Sequence, residues 1–129
     1  MKLNPDCTRS ILLYLEEQTM PDKPFAFYIG TLKEALGEFS EDEIAYHVYQ
    51  CDYSGLFIGF SKVHNGPWII EDLSPKAHDF LANIRDDKMW SGVKSVAAKV
   101  GTRSMDALVQ IASNVVSELI RSYFGLVSG

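Results

Sequence analysis

The stretch from Ser40 to Phe80 leaves this chain few choices. It opens on Ser40-Glu41-Asp42-Glu43, where Ser40 and Glu43 have the spacing of a capping box, in which each side chain satisfies the other's free backbone N–H. A helix therefore starts at Ser40. Ile44, Val48 and Cys51 form its buried stripe with Ala45 beside them, and Gly55 is placed to end it in a left-handed turn. Two β-prone runs follow, Leu56 to Val63 and Pro67 to Leu73, separated by Asn65-Gly66, a pair suited to a tight turn with positive φ. Pro67 fits only where its missing N–H faces away from the partner strand. Ser74-Pro75 then supplies the N-cap and first position of another helix, whose apolar face is Ala77, Phe80, Leu81 and Ile84.

The flanks supply further elements. Asn4, Pro5 and Asp6 suit the start of a first helix running to about Glu17, with Cys7, Ile11, Leu12 and Leu15 facing inward. Pro21 and Pro24 mark a connector to a strand over Phe25 to Ile29, ended by Gly30, and Thr31 to Leu36 makes a short helix before Gly37. Beyond Ile84, Asp86-Asp87 marks a break, and Met89, Trp90, Val93, Val96, Ala97 and Val100 continue a helical rhythm to Gly101. Ser104 caps a last helix, which Gly125 is expected to end.

Helix, short strand, short helix, capped helix, hairpin, helix is the order of a winged helix-turn-helix. The expected class is α+β and mainly helical: a winged-helix core over residues 1–80, with a small β-hairpin wing tipped by His64-Asn65-Gly66, and a C-terminal helical extension over residues 81–129, in one compact domain. The last helix is apolar over more than one stripe, with only Asp106, Glu118 and Arg121 charged between residues 105 and 124. Such a helix is deeply buried or shared with another chain. It is read as a homodimer interface built from Leu108, Ile111, Ala112, Val115, Val116, Leu119 and Ile120.

A chain of 129 residues with 47% hydrophobic content can build one core without staples. It begins Met1-Lys2-Leu3-Asn4-Pro5, and nowhere do about 18 uncharged apolar residues run together, so a cytoplasmic location away from membranes is expected. Cys7 and Cys51, 44 positions apart and without CxxC spacing, read as free buried thiols. Residues 1–73 carry 5 Lys/Arg against 12 Asp/Glu, and residues 74–129 carry 7 against 5, so charges of -7 and +2 make up the net -5. Attraction to nucleic acid is thus weakest in the half that would read it.

Two resemblances bear on function. Leu73-Ser74-Pro75-Lys76-Ala77-His78-Asp79-Phe80 resembles the segment by which many bacterial winged-helix proteins leave the wing, with Ala77 in place of the usual glycine. More of the chain resembles one uncharacterised bacterial family, a domain of unknown function often associated with phages and prophages. The matching blocks are Met1 to Cys7, Glu43-Ile44-Ala45-Tyr46-His47, Ser54-Gly55-Leu56, and above all His78 to Trp90. The resemblance implies a prophage setting and a winged-helix-like fold, and no mechanism.

No catalytic residue, metal site or cofactor is expected. His47, His64 and His78 lack HxxxH or HExxH spacing, His78 and Asp79 point about 100° apart on a helix, and the glycines are too dispersed for a phosphate loop. Trp68 and Trp90 read as core or interface. Two roles stay open. In the first, a dimeric transcriptional regulator touches DNA through Tyr46, His47, Gln50, Tyr53 and the wing residues Lys62 and His64, with Lys76, Arg85, Lys88, Lys94, Lys99 and Arg103 available for phosphates. Against it, residues 40–54 carry Glu41, Asp42, Glu43 and Asp52 and no Lys or Arg. In the second, the scaffold has lost DNA binding and the same surface takes a protein partner, as an adaptor or antagonist.

Overall fold

The computed structural model describes residues 1–101 and 104–128, with side chains through Gly125; Arg103 lies outside the described residues. The element order is α1 (Pro5–Gln18), β1 (Phe25–Phe27), α2 (Ile29–Ala35), α3 (Glu41–Tyr53), β2 (Phe57–Ile58), β3 (Ser61–Lys62), β4 (Trp68–Ile70), β5 (Asp72–Leu73), α4 (Pro75–Ile84), α5 (Asp87–Val100) and α6 (Met105–Ser128). The fold is α+β and mostly helical, with small antiparallel sheets. Side chains cap four helices where the sequence promises it and a fifth at Asp86, while the Glu43 carboxylate, expected on the Ser40 N–H, accepts from the Asn4 side chain. Asn4 accepts from the Asp6 N–H, Ser40 from Glu43, Ser74 from Ala77, Asp86 from Met89 and Ser104 from Ala107.

The ribbon keeps one register from end to end. Phe57 faces Leu73, Ile58 faces Asp72, Ser61 faces Ile69 and Lys62 faces Trp68, with Asn65 at φ 55° in the turn. Its two expected strands are each broken in the middle, at Gly59-Phe60 and at Glu71. The cause is Gly59, whose φ of 66° bends the ribbon. Inside the bend, β2 and β5 pair alone; outside it, β4 lies between β3 and β1 in a three-stranded sheet.

Two further boundaries differ from expectation. The first strand stops at Phe27, because Phe27 pairs with Trp68 and the preceding residue on β4's side, Pro67, has no N–H to continue the ladder. The Tyr28 carbonyl instead accepts from Thr31 and Leu32, so α2 begins at Ile29 and Gly30 lies within it. Gly125 does not end α6, which runs on to Ser128 without a left-handed residue. An exposed helical glycine costs only about 1 kcal/mol relative to alanine, too little to stop a long helix.

A single core joins both halves of the chain. Cys7, Ile11, Leu12 and Leu15 of α1, Ile44, Val48 and Cys51 of α3, Phe80, Leu81 and Ile84 of α4, Val93 of α5, and Leu108 and Ala112 of α6 belong to one buried cluster. The thiols of Cys7 and Cys51 are free and held protonated by burial. Helix α4 is central, packing against α1, α5, α6 and β5.

The bend sets a testable cost. A Cβ on Gly59 would lie 2.5 Å from Glu71 Cγ, whereas one on Gly55, at φ 76°, would meet nothing within 4 Å. Gly55→Ala is therefore expected to cost about 1 kcal/mol from backbone strain alone, and Gly59→Ala about 2–3 kcal/mol. Urea denaturation of the two variants measures the difference; equal losses would remove the role assigned to the bend.

Candidate functional site

Helix α3 and the ribbon form one continuous surface because aromatic rings bridge them. Tyr49 of α3 lies 5.0 Å from the Trp68 ring and 6.1 Å from Phe60, and Phe60 lies 5.9 Å from Trp68 and 6.0 Å from Phe57. Trp68 is buried at the base of this cluster, with Lys62 Nζ 5.0 Å above its ring, a cation–π distance. Tyr53 stacks on Tyr49 at 6.0 Å and 17°, and it is 73% exposed. A rigid aromatic ledge thus ends in a tyrosine open to solvent. The carboxylates of α3 lie apart from the ledge except for Asp52: Glu41 and Asp42 are exposed in the first turn, about 16–18 Å along the axis from Tyr53, while Asp52, whose pKa partial burial raises, precedes Tyr53 in sequence.

The anticipated binding residues separate into distinct groups. Tyr53, Lys62 and His64 are exposed, and Gln50 is partly so. Tyr46 is half-buried, edge-on to the His47 ring at 5.0 Å. His47 is a correction: it is fully buried and reads nothing outside the molecule. Its Nε2 accepts from the Asn4 backbone N–H at 2.8 Å, so the proton sits on Nδ1, which donates to the Glu43 carbonyl at 2.7 Å. The Asn4 side chain closes the loop by donating to Glu43 Oε2 at 3.3 Å. A neutral imidazole therefore clasps the start of α1 to α3. The helical spacing carried the signal, since Ile44, His47, Val48 and Cys51 fall on one face. Sequence reasoning also passed over Phe60, whose role depends on the bend beside it.

The last helix needs a similar division. Leu108 and Ala112 are fully buried in the chain's own core and are not available to a second copy. Ile111, Val115 and Val116 are half-buried, while Leu119 and Ile120 are exposed. Helix α6 lies on α4 and α5 along its first half, which is why its inner stripe is consumed there. Of the basic residues expected to be available for phosphates, Lys76, Arg85 and Lys94 are engaged within the chain, and Lys88 and Lys99 are exposed. Lys76 bonds Asp106 at 2.8 Å and the Ser54 carbonyl at 2.6 Å, Arg85 grips Glu16 through two bonds of 2.8 and 2.7 Å, and Lys94 meets Asp6 at 3.0 Å. Among the described residues no group of three or more His, Cys, Asp or Glu is placed to hold a metal ion, and no helix is long and apolar enough to cross a membrane.

Residues 2–103, spanning α1 to α5, match the family DUF2513, described as a hypothetical protein. The chain belongs to this family. An uncharacterized protein of Haemophilus influenzae is 29% identical over 123 residues, covering 93% of this chain and 99% of that protein. No solved structure matches.

The clasp gives this DUF2513 chain a defined pH response. Burial pushes the His47 pKa below its ordinary value, although the Glu43 carbonyl and carboxylate favour the charged form. Protonated Nε2 would point a donor at the Asn4 N–H, leaving two donors opposed in a buried site. The folded state thus binds fewer protons at His47 than the unfolded state does. The stability it contributes is complete above the unfolded pKa of about 6.5 and is lost as pH falls below that value toward the lower folded pKa. Urea midpoints measured between pH 7.5 and 5.5 are expected to fall more steeply for the native chain than for His47→Gln. Parallel slopes would show that His47 does not carry the response.

Proposed function

We propose that this chain is a winged-helix module that acts by binding a protein partner and not by reading DNA, and that it self-associates through α6. The order β1-β4-β3 in the three-stranded sheet, with α1 before β1 and α2 and α3 between β1 and the ribbon, supports the winged-helix assignment. In that assignment α3 takes the recognition position and β3-β4 the wing.

The observation that carries the reading is the make-up of the α3 surface. Its N-terminal turn bears Glu41, Asp42 and Glu43, and its outward side chains farther along are Tyr46, Tyr49, Gln50 and Tyr53, with no cation. Carboxylates where a recognition helix approaches phosphates oppose DNA binding. The Lys76–Asp106, Arg85–Glu16 and Lys94–Asp6 pairs also set carboxylates beside three of the C-terminal half's cations. An exposed tyrosine at one end of α3 and an acidic first turn at the other suit an extended basic protein segment, because an exposed tyrosine buries a large area with few rotors to freeze. An adaptor or antagonist of this kind fits the prophage setting implied by the family resemblance and a cytoplasmic location.

The alternative, a dimeric transcriptional regulator, draws on the exposed Lys62 and His64 of the wing. Titration of the chain with random duplex DNA at about 50 mM salt separates the two, since the nonspecific phosphate attraction is strong there and precedes sequence recognition. No binding is expected. Salt-sensitive association with micromolar affinity would overturn the partner-binding reading. A labelled arginine-rich peptide is expected to bind, and Tyr53→Ala to weaken it about tenfold.

A further inference from the structure

We propose that Asn65-Gly66, at the tip of the ribbon, is a self-modification site: the Gly66 backbone nitrogen attacks the Asn65 side-chain amide, and the residue ends as aspartate or isoaspartate. The reaction needs nothing bound to the α3 face. The turn itself demands both residues. It is closed by the Gly66 N–H, which donates to the Val63 carbonyl at 3.0 Å, and the Val63 N–H donates to the Pro67 carbonyl at 3.0 Å. Asn65 sits at φ 55°, a left-handed conformation that asparagine adopts more readily than most residues with a side chain. A Cβ on Gly66 would lie 2.8 Å from Val63 Cγ1, so the next position is held to glycine. Asparagine amides are chemically labile, and this one is exposed beside a nitrogen that no side chain crowds.

Water is the only co-reactant. The Gly66 nitrogen loses its proton to solvent hydroxide and bonds to Asn65 Cγ; the bond from Cγ to the side-chain nitrogen breaks, and ammonia leaves with a proton taken from water, closing a succinimide ring. Water then opens the ring at either carbonyl. One opening restores the original backbone with an aspartate side chain, and the other routes the backbone through Cβ and Cγ, lengthening it by a methylene as isoaspartate. The other asparagines are placed differently. Asn4 precedes Pro5, which has no N–H to lose. Asn83 and Asn114 lie in α4 and α6 ahead of the branched Ile84 and Val115, where the helical backbone engages the following nitrogen.

The turn sets the pace as well as the place. While the Gly66 N–H donates to the Val63 carbonyl its nitrogen cannot attack, so the folded chain reacts more slowly than an unfolded one. Conversion puts a carboxylate next to His64 and, as isoaspartate, inserts a methylene into the turn that sets Lys62 opposite Trp68. Loss of the amide is one-way in water, so the modified fraction records the age of the chain.

Peptide mass mapping of the full chain, held for weeks at mildly alkaline pH, tests this. The segment carrying Asn65 is expected to gain the mass difference between NH2 and OH and to split into two chromatographic species, while those carrying Asn83 and Asn114 stay unchanged. Conversion is expected to quicken as pH rises, since hydroxide generates the attacking nitrogen, and to run about tenfold or more faster in guanidinium chloride, where the turn is absent. Asn65→Gly, which accepts positive φ, is expected to keep the circular-dichroism spectrum and lose the reaction. An intact Asn65 in the folded chain after the denatured chain has converted fully and the incubation has run tenfold longer, conversion of Asn83 or Asn114 at an equal rate, or the same rate folded and denatured overturns the proposal.

Discussion

The fold depends on the burial of one short helix. Ala77, Phe80, Leu81 and Ile84 on α4 are all buried, and each large apolar side chain among them contributes roughly 1.5–3 kcal/mol by leaving water. Helix α4 receives the end of the ribbon through β5, supports α1 on one side and carries α5 and α6 on the other. Without it the ribbon has no fixed angle to α3, and α6 has no base from which to project. The Ser74 cap with Pro75 behind it fixes where this helix starts, so a local backbone preference sets the geometry of both ends of the molecule.

Most of the elements were legible because they are written in local chemistry. Four side-chain caps, the Asn65 turn and the period of the apolar residues each state their structure without tertiary context. What escaped was decided by neighbours. The end of β1 is set by a proline on the strand beside it, and the break in the ribbon by a glycine conformation that the alternating pattern does not encode. The candidate site divides in the same way. Tyr53, Lys62 and His64 face solvent, but His47 lies on the Ile44–Val48–Cys51 face of α3, and that position marks it as interior. Leu108 and Ala112 belong to the stripe that α4 and α5 use, and the sequence alone does not say which of two apolar stripes a helix spends on its own core.

The two surfaces have opposite chemistry and lie on different parts of the chain. The face made by α3 and the β3–β4 ribbon is aromatic with an acidic end, built on rings that hold each other in place. The outer α6 face is apolar, with Leu119 and Ile120 beside Tyr123 and Phe124, and carries one balanced pair of charges, Glu118 and Arg121, 2.6 Å apart. An acidic surface tunes long-range attraction and falls with salt, whereas an apolar surface depends on contact and is nearly indifferent to it. The proposed partner binding and self-association therefore respond to different conditions.

The kink at Gly59 also divides the ribbon in its fluctuations. The inner pair, β2 with β5, is tied to α4 through β5 and to the core through the buried Phe57 and Leu73, while the outer pair, β3 with β4, leans on β1 and the aromatic ledge. The outer ladder can open transiently without disturbing the inner one. Backbone amides such as Val63 and Gly66 near the tip then exchange with solvent by local fraying, and those of Glu71 and Ser74 only when the interior itself comes apart.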